Sequence, residues 1–117
     1  MASSRWVAAF AAGVLLACPD SGRADGVDAG RAIAHDQEKG NCLACHQMPR
    51  DPLAVSAATM GPKLQDVRIR YPDPDVLRQR IWDASRFNPS TIMPPYGRHR
   101  ILTEKEIDLV AQYIHGL

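Results

Sequence analysis

Cys42-Leu43-Ala44-Cys45-His46 is the stretch on which the reading of this chain turns. Two thiols three residues apart fall on one side of a helical turn, and a histidine follows directly. Cys-X-X-Cys-His is the pattern of covalent c-type haem attachment: the thiols are placed to form thioethers with the two vinyl groups, and the next residue turns its imidazole beneath the iron. Three other readings were weighed. A zinc site needs four ligands, usually as two separated pairs, and the chain has no second Cys-X-X-Cys. A thioredoxin-like pair belongs at a strand end within a βαβ pattern, and nothing nearby alternates like a strand. A plain disulfide leaves His46 unexplained. One covalently attached haem c, on Cys42 and Cys45 with His46 on the iron, is therefore expected.

The ligand opposite His46 separates an electron carrier from an oxygen or peroxide enzyme. Met48 is two residues past His46, on the same side, and cannot reach around. Met60 precedes Gly61-Pro62 in a segment expected to pass the proximal side. Met93 is followed by Pro94-Pro95, whose rings bias the backbone toward extended conformations and can present a thioether stiffly, so Met93 is the expected second axial ligand. His35, His99 and His115 are read as solvated surface residues.

Working outward, Met1–Arg5 and the apolar run Trp6–Ala17 have the form of a secretory signal, shorter than the roughly 20 residues of a membrane span. Cleavage is expected after Ala24, giving a leader of residues 1–24 and a domain of 25–117. The alternative is a lipoprotein signal ending before Cys18, because Leu15-Leu16-Ala17-Cys18 resembles a lipobox. Either way the odd total of three cysteines divides into one in the leader and two in the domain. Export implies a periplasmic location, with membrane attachment only through a lipid on Cys18. Of the 117 residues 45% are hydrophobic and 23% charged, ordinary for one globular domain and against disorder or a fibrous repeat. Removing Arg5, Arg23 and Asp20 with the leader leaves twelve basic and twelve acidic residues. No run of like charge points to nucleic acid.

The helical pattern places the motif. Asp28 to about Asp36 reads as a first helix, stopped by Gly40-Asn41. Asp73-Pro74 is an N-cap with proline at N1, opening a helix to about Ser85 with Leu77, Ile81 and Ala84 on one face. Thr103 and Glu106 form a capping box, Leu102 and Ile107 a hydrophobic staple, and Ile107, Val110 and Ile114 line the last helix. Segments 48–60 and 87–100 read as loops. With no strand pattern, the expectation is an all-α fold of three to four helices around one haem.

These features together, Cys-X-X-Cys-His after a first helix, Gly61-Pro62 in the middle and a Met-bearing loop before a terminal helix, resemble class I cytochrome c. That resemblance implies that the carbonyl of Pro62 accepts a hydrogen bond from the His46 ring, and that Gly30 packs against Tyr113. A closer likeness runs from Arg70-Tyr71-Pro72-Asp73 through Ile81-Trp82-Asp83-Ala84, Phe87-Asn88-Pro89, Met93-Pro94-Pro95-Tyr96-Gly97-Arg98-His99 and Ile101-Leu102-Thr103-Glu104. With Gly40-Asn41-Cys42 upstream, nearly the whole domain resembles the SoxX family, the small cytochrome subunits of the thiosulfate-oxidising Sox system. Lys63, where a second proline is expected, and Met60 depart from that pattern.

The resemblance implies a heterodimer with a SoxA-like c-type cytochrome, action through that complex on a SoxYZ-like sulfur carrier, and a downstream electron-accepting cytochrome. The pair would act as an L-cysteine S-thiosulfotransferase, coupling thiosulfate oxidatively to a carrier cysteine. This chain would be its non-catalytic electron-transfer subunit, because two axial ligands leave no open iron position and no thiol is left over as a nucleophile. Two other classes stay open: a freely diffusing monohaem carrier, and a haem enzyme or gas sensor with an open sixth position. Arg98, His99 and Arg100, with Tyr96, are read as a partner-docking or propionate-neutralising edge, and Trp82 as packing against the haem or core.

Overall fold

The computed structural model describes residues 21–117; the apolar leader stretch and Cys18 lie outside the described residues. Four helices carry the fold: α1 (Ser21–His35), α2 (Val67–Arg70), α3 (Pro74–Trp82) and α4 (Glu104–His115). Two single 3-10 turns, Cys42–Ala44 and Ala84–Arg86, complete the regular structure. The fold is all-helical, with no strand among the described residues. No helix among them is long and apolar enough to cross a membrane.

Helix α4 is the element the others are built on. Its start is fixed by a reciprocal cap in which the Glu106 N–H donates to Thr103 Oγ1 (3.2 Å) and the Thr103 N–H to Glu106 Oε2 (2.9 Å). Leu102 and Ile107, the expected staple, are both buried, and Val110, Tyr113 and Ile114 continue the buried stripe. The same carboxylate accepts from the Lys39 ammonium, tying the chain just after α1 to the first turn of α4.

Among the described residues helix α1 runs over Ser21–His35 and so includes residues ahead of the expected Asp28 start. Asp28 lies within the helix, and its carboxylate pairs with Arg31 one turn on, at 3.0 Å, as an i,i+3 surface ion pair. The helix crosses α4 at Gly30, where a Cβ would stand 2.1 Å from the Leu109 carbonyl oxygen and 2.9 Å from Tyr113 Cβ. The Gly30–Tyr113 contact expected from the resemblance is present.

Helix α3 starts as expected, with Asp73 accepting from the Asp75 N–H (2.9 Å) and Pro74 in the first turn. It stops at Trp82, three residues short of Ser85, because Asp83 turns extended (φ −158°, ψ 93°) and its carboxylate takes the Ser85 N–H and hydroxyl. A side chain that satisfies the next turn's donors competes with helix continuation. The single turn of α2 was not expected; buried Val67 anchors it, and the Asp66 N–H bonds the Leu117 carbonyl at 3.0 Å.

Gly30→Ala should destabilise the domain by about 1–3 kcal/mol through overpacking, read as a fall in the thermal midpoint; an unchanged midpoint would show that the helices part without cost. Hydrogen bonds from Lys39 first, then from the Thr103 N–H, hold the Glu106 carboxyl down at about 2. Its folded value thus lies below the unfolded one of about 4.3, so its contribution is present above that pH and fades as pH falls toward about 2. Unfolding titrations of Glu106→Gln should show a shallower loss of stability across that window than the parent.

Candidate cofactor site

The Cys42–His46 segment is one tight turn. Asn41 enters it in the left-handed region (φ 46°), a conformation asparagine tolerates, and the Cys45 and His46 N–H groups both donate to the Cys42 carbonyl, at 3.2 and 2.9 Å. Neither cysteine is in a disulfide. Gly40 sets the approach: a Cβ there would stand 2.7 Å from the Ile33 carbonyl oxygen and 3.4 Å from Cys42 Sγ. Burial pushes the Cys42 thiol up to about 11. A redox-active Cys-X-X-Cys depends on a lowered thiol pKa, and burial acts on Cys42 in the other direction.

His46 is oriented by the segment beside it. The Gly61 N–H donates to the Cys45 carbonyl and the Leu64 N–H to the Gln47 carbonyl, both at 2.8 Å, laying residues 60–64 along the motif. The Pro62 carbonyl accepts from His46 Nδ1 at 2.7 Å, which leaves Nε2 as the nitrogen with a free lone pair. Gly61 lies against the ring, where a Cβ would fall 2.4 Å from His46 Cε1.

Met93 comes from the other long loop. Its N–H donates to Thr91 Oγ1 at 3.2 Å, and three residues on the buried Tyr96 hydroxyl donates to the Gly40 carbonyl at 2.5 Å. The Gly97 N–H bonds the Trp82 carbonyl at 3.0 Å, and a Cβ on Gly97 would stand 1.9 Å from Trp82 Cδ1. The loop is held between the Cys42 turn and the end of α3.

These segments enclose a cavity of about 430 Å³ whose wall includes Cys42, Cys45, His46, Pro62 and Met93. The volume lies in the range of small-molecule and cofactor sites. Leu77, Ile81, Leu102, Val110 and Ile114 give it an apolar lining. Two thiols, an imidazole nitrogen and a thioether, set in apolar walls, suit a large flat apolar group carrying a borderline-soft metal. Among the described residues no group of three or more His, Cys, Asp and Glu is arranged to hold a bare metal ion.

The other candidates separate by position. Met60 also reaches the cavity but is 65% exposed, and its neighbour Gly61 is tied against the His46 side. Met48 is buried away from the wall, its sulfur accepting from the Tyr113 hydroxyl at 3.3 Å. His99 is exposed, as read. His35 and His115 are not solvated surface residues. His35 is half-buried, with Nε2 3.2 Å from the Tyr113 hydroxyl, and His115 Nε2 donates to the Tyr71 carbonyl at 2.9 Å. Arg98 is committed within the fold, pairing with the buried Asp83 carboxylate at 2.8 Å, and none of Arg98, His99 and Arg100 lines the cavity. Trp82 is core packing rather than cavity wall, with Nε1 donating to Glu104 at 2.9 Å.

Two features escaped the sequence reading. Arg70 and Arg80 line the cavity; Arg80 sits three residues after Leu77 and one before Ile81, so its place on their helical face was available as a signal. Asp51 is buried under the crossing of α1 and α4. Burial alone would raise its carboxyl, but hydrogen bonds from the Tyr113 hydroxyl, the Leu53 N–H and Arg31 hold it below the ordinary carboxylate range. Its side-chain partners Arg31 and Tyr113 are 20 and 62 residues away, beyond any local pattern.

No family model matches the chain. The chain is similar to an uncharacterized lipoprotein of Aquifex aeolicus (strain VF5), 33% identical over 78 residues. The match covers 67% of this chain and 37% of that protein, so the chain spans little more than a third of the curated relative's length.

Tyr96→Phe should lower stability by about 1–3 kcal/mol, because the buried Gly40 carbonyl is left without its donor. A denaturant titration checks this; an unchanged midpoint would mean the bond is not what ties the loop to the cysteine turn.

Proposed function

We propose that this chain is an exported monohaem c-type cytochrome, the electron-transfer subunit of a SoxAX-type complex that couples thiosulfate to a carrier-protein cysteine. The observation that carries the haem reading is one apolar cavity bearing Cys42, Cys45, His46 and Met93, with the His46 ring fixed by Pro62. Cys42 and Cys45 would hold the haem through thioethers, and His46 and Met93 would offer donors to its iron. When bound, the haem supplies an iron that gains and loses one electron.

The remaining work belongs to the chain. Cys42 and Cys45 anchor the ring on one turn. The Pro62 carbonyl holds the His46 ring and raises the basicity of Nε2. Met93, on a loop bolted at Tyr96 and Gly97, supplies a thioether that favours a high reduction potential, as an electron acceptor requires. The apolar wall keeps water from the centre. The complex and its thiosulfate chemistry rest on the resemblance of residues 70–104 to the SoxX family. Export is supported by the leader pattern and by the relative's description as a lipoprotein.

The test is purification of the tagged protein from the exported fraction of its source, with mass spectrometry. One haem mass on the chain, lost in Cys42→Ala/Cys45→Ala, is expected, together with a larger c-type cytochrome as partner. A haem-loaded chain that purifies alone and exchanges electrons as a monomer would favour the freely diffusing carrier. Met93→Ala should lower the reduction potential and abolish the far-red absorption of thioether-ligated ferric haem; an intact band would overturn Met93 as ligand.

A further inference from the structure

The charges on the cavity wall are one-sided. Arg70 and Arg80 line it, whereas no Asp or Glu among the described residues does. The other titratable groups on the wall are His46, Tyr71, Tyr96, Cys42 and Cys45. A wall that is apolar, with cations and no carboxylate, is built for a ligand that is apolar over most of its surface and anionic somewhere.

The two arginines are not equivalent. Arg70 is exposed, and its guanidinium already donates to the Lys63 and Gln65 carbonyls, at 2.8 and 3.2 Å. Arg80 is half-buried on α3, with its guanidinium carbon 4.3 Å from the Phe87 ring centroid and 5.2 Å from that of Tyr71. Two aromatic rings within cation–π range flank the group. Its Nε is the one buried side-chain nitrogen or oxygen among the described residues without a hydrogen-bond partner. Arg80 also has no carboxylate partner there, unlike Arg31, Arg50, Arg78 and Arg98. Buried polar groups are almost always satisfied, and a guanidinium held in one plane presents parallel donors matched to a carboxylate.

We infer that Arg80 is the anion-binding residue of the cavity, its guanidinium pairing with a carboxylate of the bound cofactor, which for haem is a propionate. The inference rests on the haem reading of the cavity and moves the propionate-neutralising role from the Arg98–Arg100 turn, where Arg98 is already paired, to α3. Tyr71 and Phe87 are its positioning residues, flanking the guanidinium.

The test uses the exported holoprotein and needs no variant at first. Carbon-13 resonances of the haem carboxyls, followed against pH, should show one propionate staying ionised well below the ordinary carboxylate range. Two propionates titrating at ordinary values would overturn the inference. In Arg80→Met, which keeps the stem and removes the charge, that resonance should shift upward in pH and the reduction potential should acquire a pH-dependent step absent from wild type. Arg80→Lys should restore part of the shift by charge alone. An Arg80→Met holoprotein whose titration superimposes on wild type would also overturn it. An exported wild-type chain without the haem mass overturns the cofactor reading itself and takes this inference with it; a haem-bearing chain with ordinary propionates overturns only the role of Arg80.

Discussion

The absence of a side chain at Gly30 is the constraint from which the rest of the architecture follows. A Cβ there would stand 2.1 Å from the backbone of α4, so α1 and α4 meet backbone to backbone rather than through interdigitated side chains. The chain leaving α1 then runs through Gly40 into the Cys42 turn, and Cys42 shares one cavity wall with Val110 and Ile114 of α4. The close approach also buries the inner end of Tyr113, and a buried phenol needs a partner. Asp51 fills that need, and Arg31 and the Leu53 N–H in turn stabilise Asp51 as an anion. The small polar cluster under the crossing is thus a consequence of the glycine, and it ties the 48–54 loop to α1 and α4.

What was legible in the sequence was local. The Asp73–Pro74 start and the Thr103–Glu106 box are short-range hydrogen-bond devices within three residues, and both stand where they were placed. The Cys42, Cys45, Pro62 and Met93 positions were marked by spacing, by proline and by resemblance, and they border one cavity with His46. What was not legible depended on partners distant in sequence. The first helix was placed from Asp28, yet Asp28 lies inside it and pairs with Arg31 one turn on. Helix α3 ended early because Asp83 found Ser85 and Arg98. His35 and His115 looked solvated because their partners, Tyr113 and Tyr71, lie 78 and 44 residues away.

Arg98 shows how a charge cluster can mislead. Three basic residues in a row read as a docking edge, yet one of them is spent on a buried carboxylate that terminates α3. Arg80, which lines the cavity without a carboxylate partner among the described residues, is one of two arginines on α3, and the sequence does not tell it from Arg78, which is paired with Glu104 and Asp108. Burial and pairing, which sequence does not display, separate a structural cation from one left with a donor to offer.

The two long loops could in principle move independently, since segments 48–64 and 87–100 belong to different parts of the chain. They do not, because both are referred to the same short stretch. Gly40 donates its N–H to Ile33 at the end of α1 and accepts at its carbonyl from Tyr96 in the Met93 loop. Five residues on, the Cys45 carbonyl accepts from Gly61, beside the residue that fixes His46. A displacement of the Met93 loop is therefore transmitted to the Cys42 turn, and from there to the His46 side, through backbone hydrogen bonds and a single buried phenol. On the proposed haem reading His46 and Met93 would have to keep a fixed separation through a change of charge, and a cavity whose walls share a common anchor keeps such a separation with less reorganisation than one whose walls hang on separate loops.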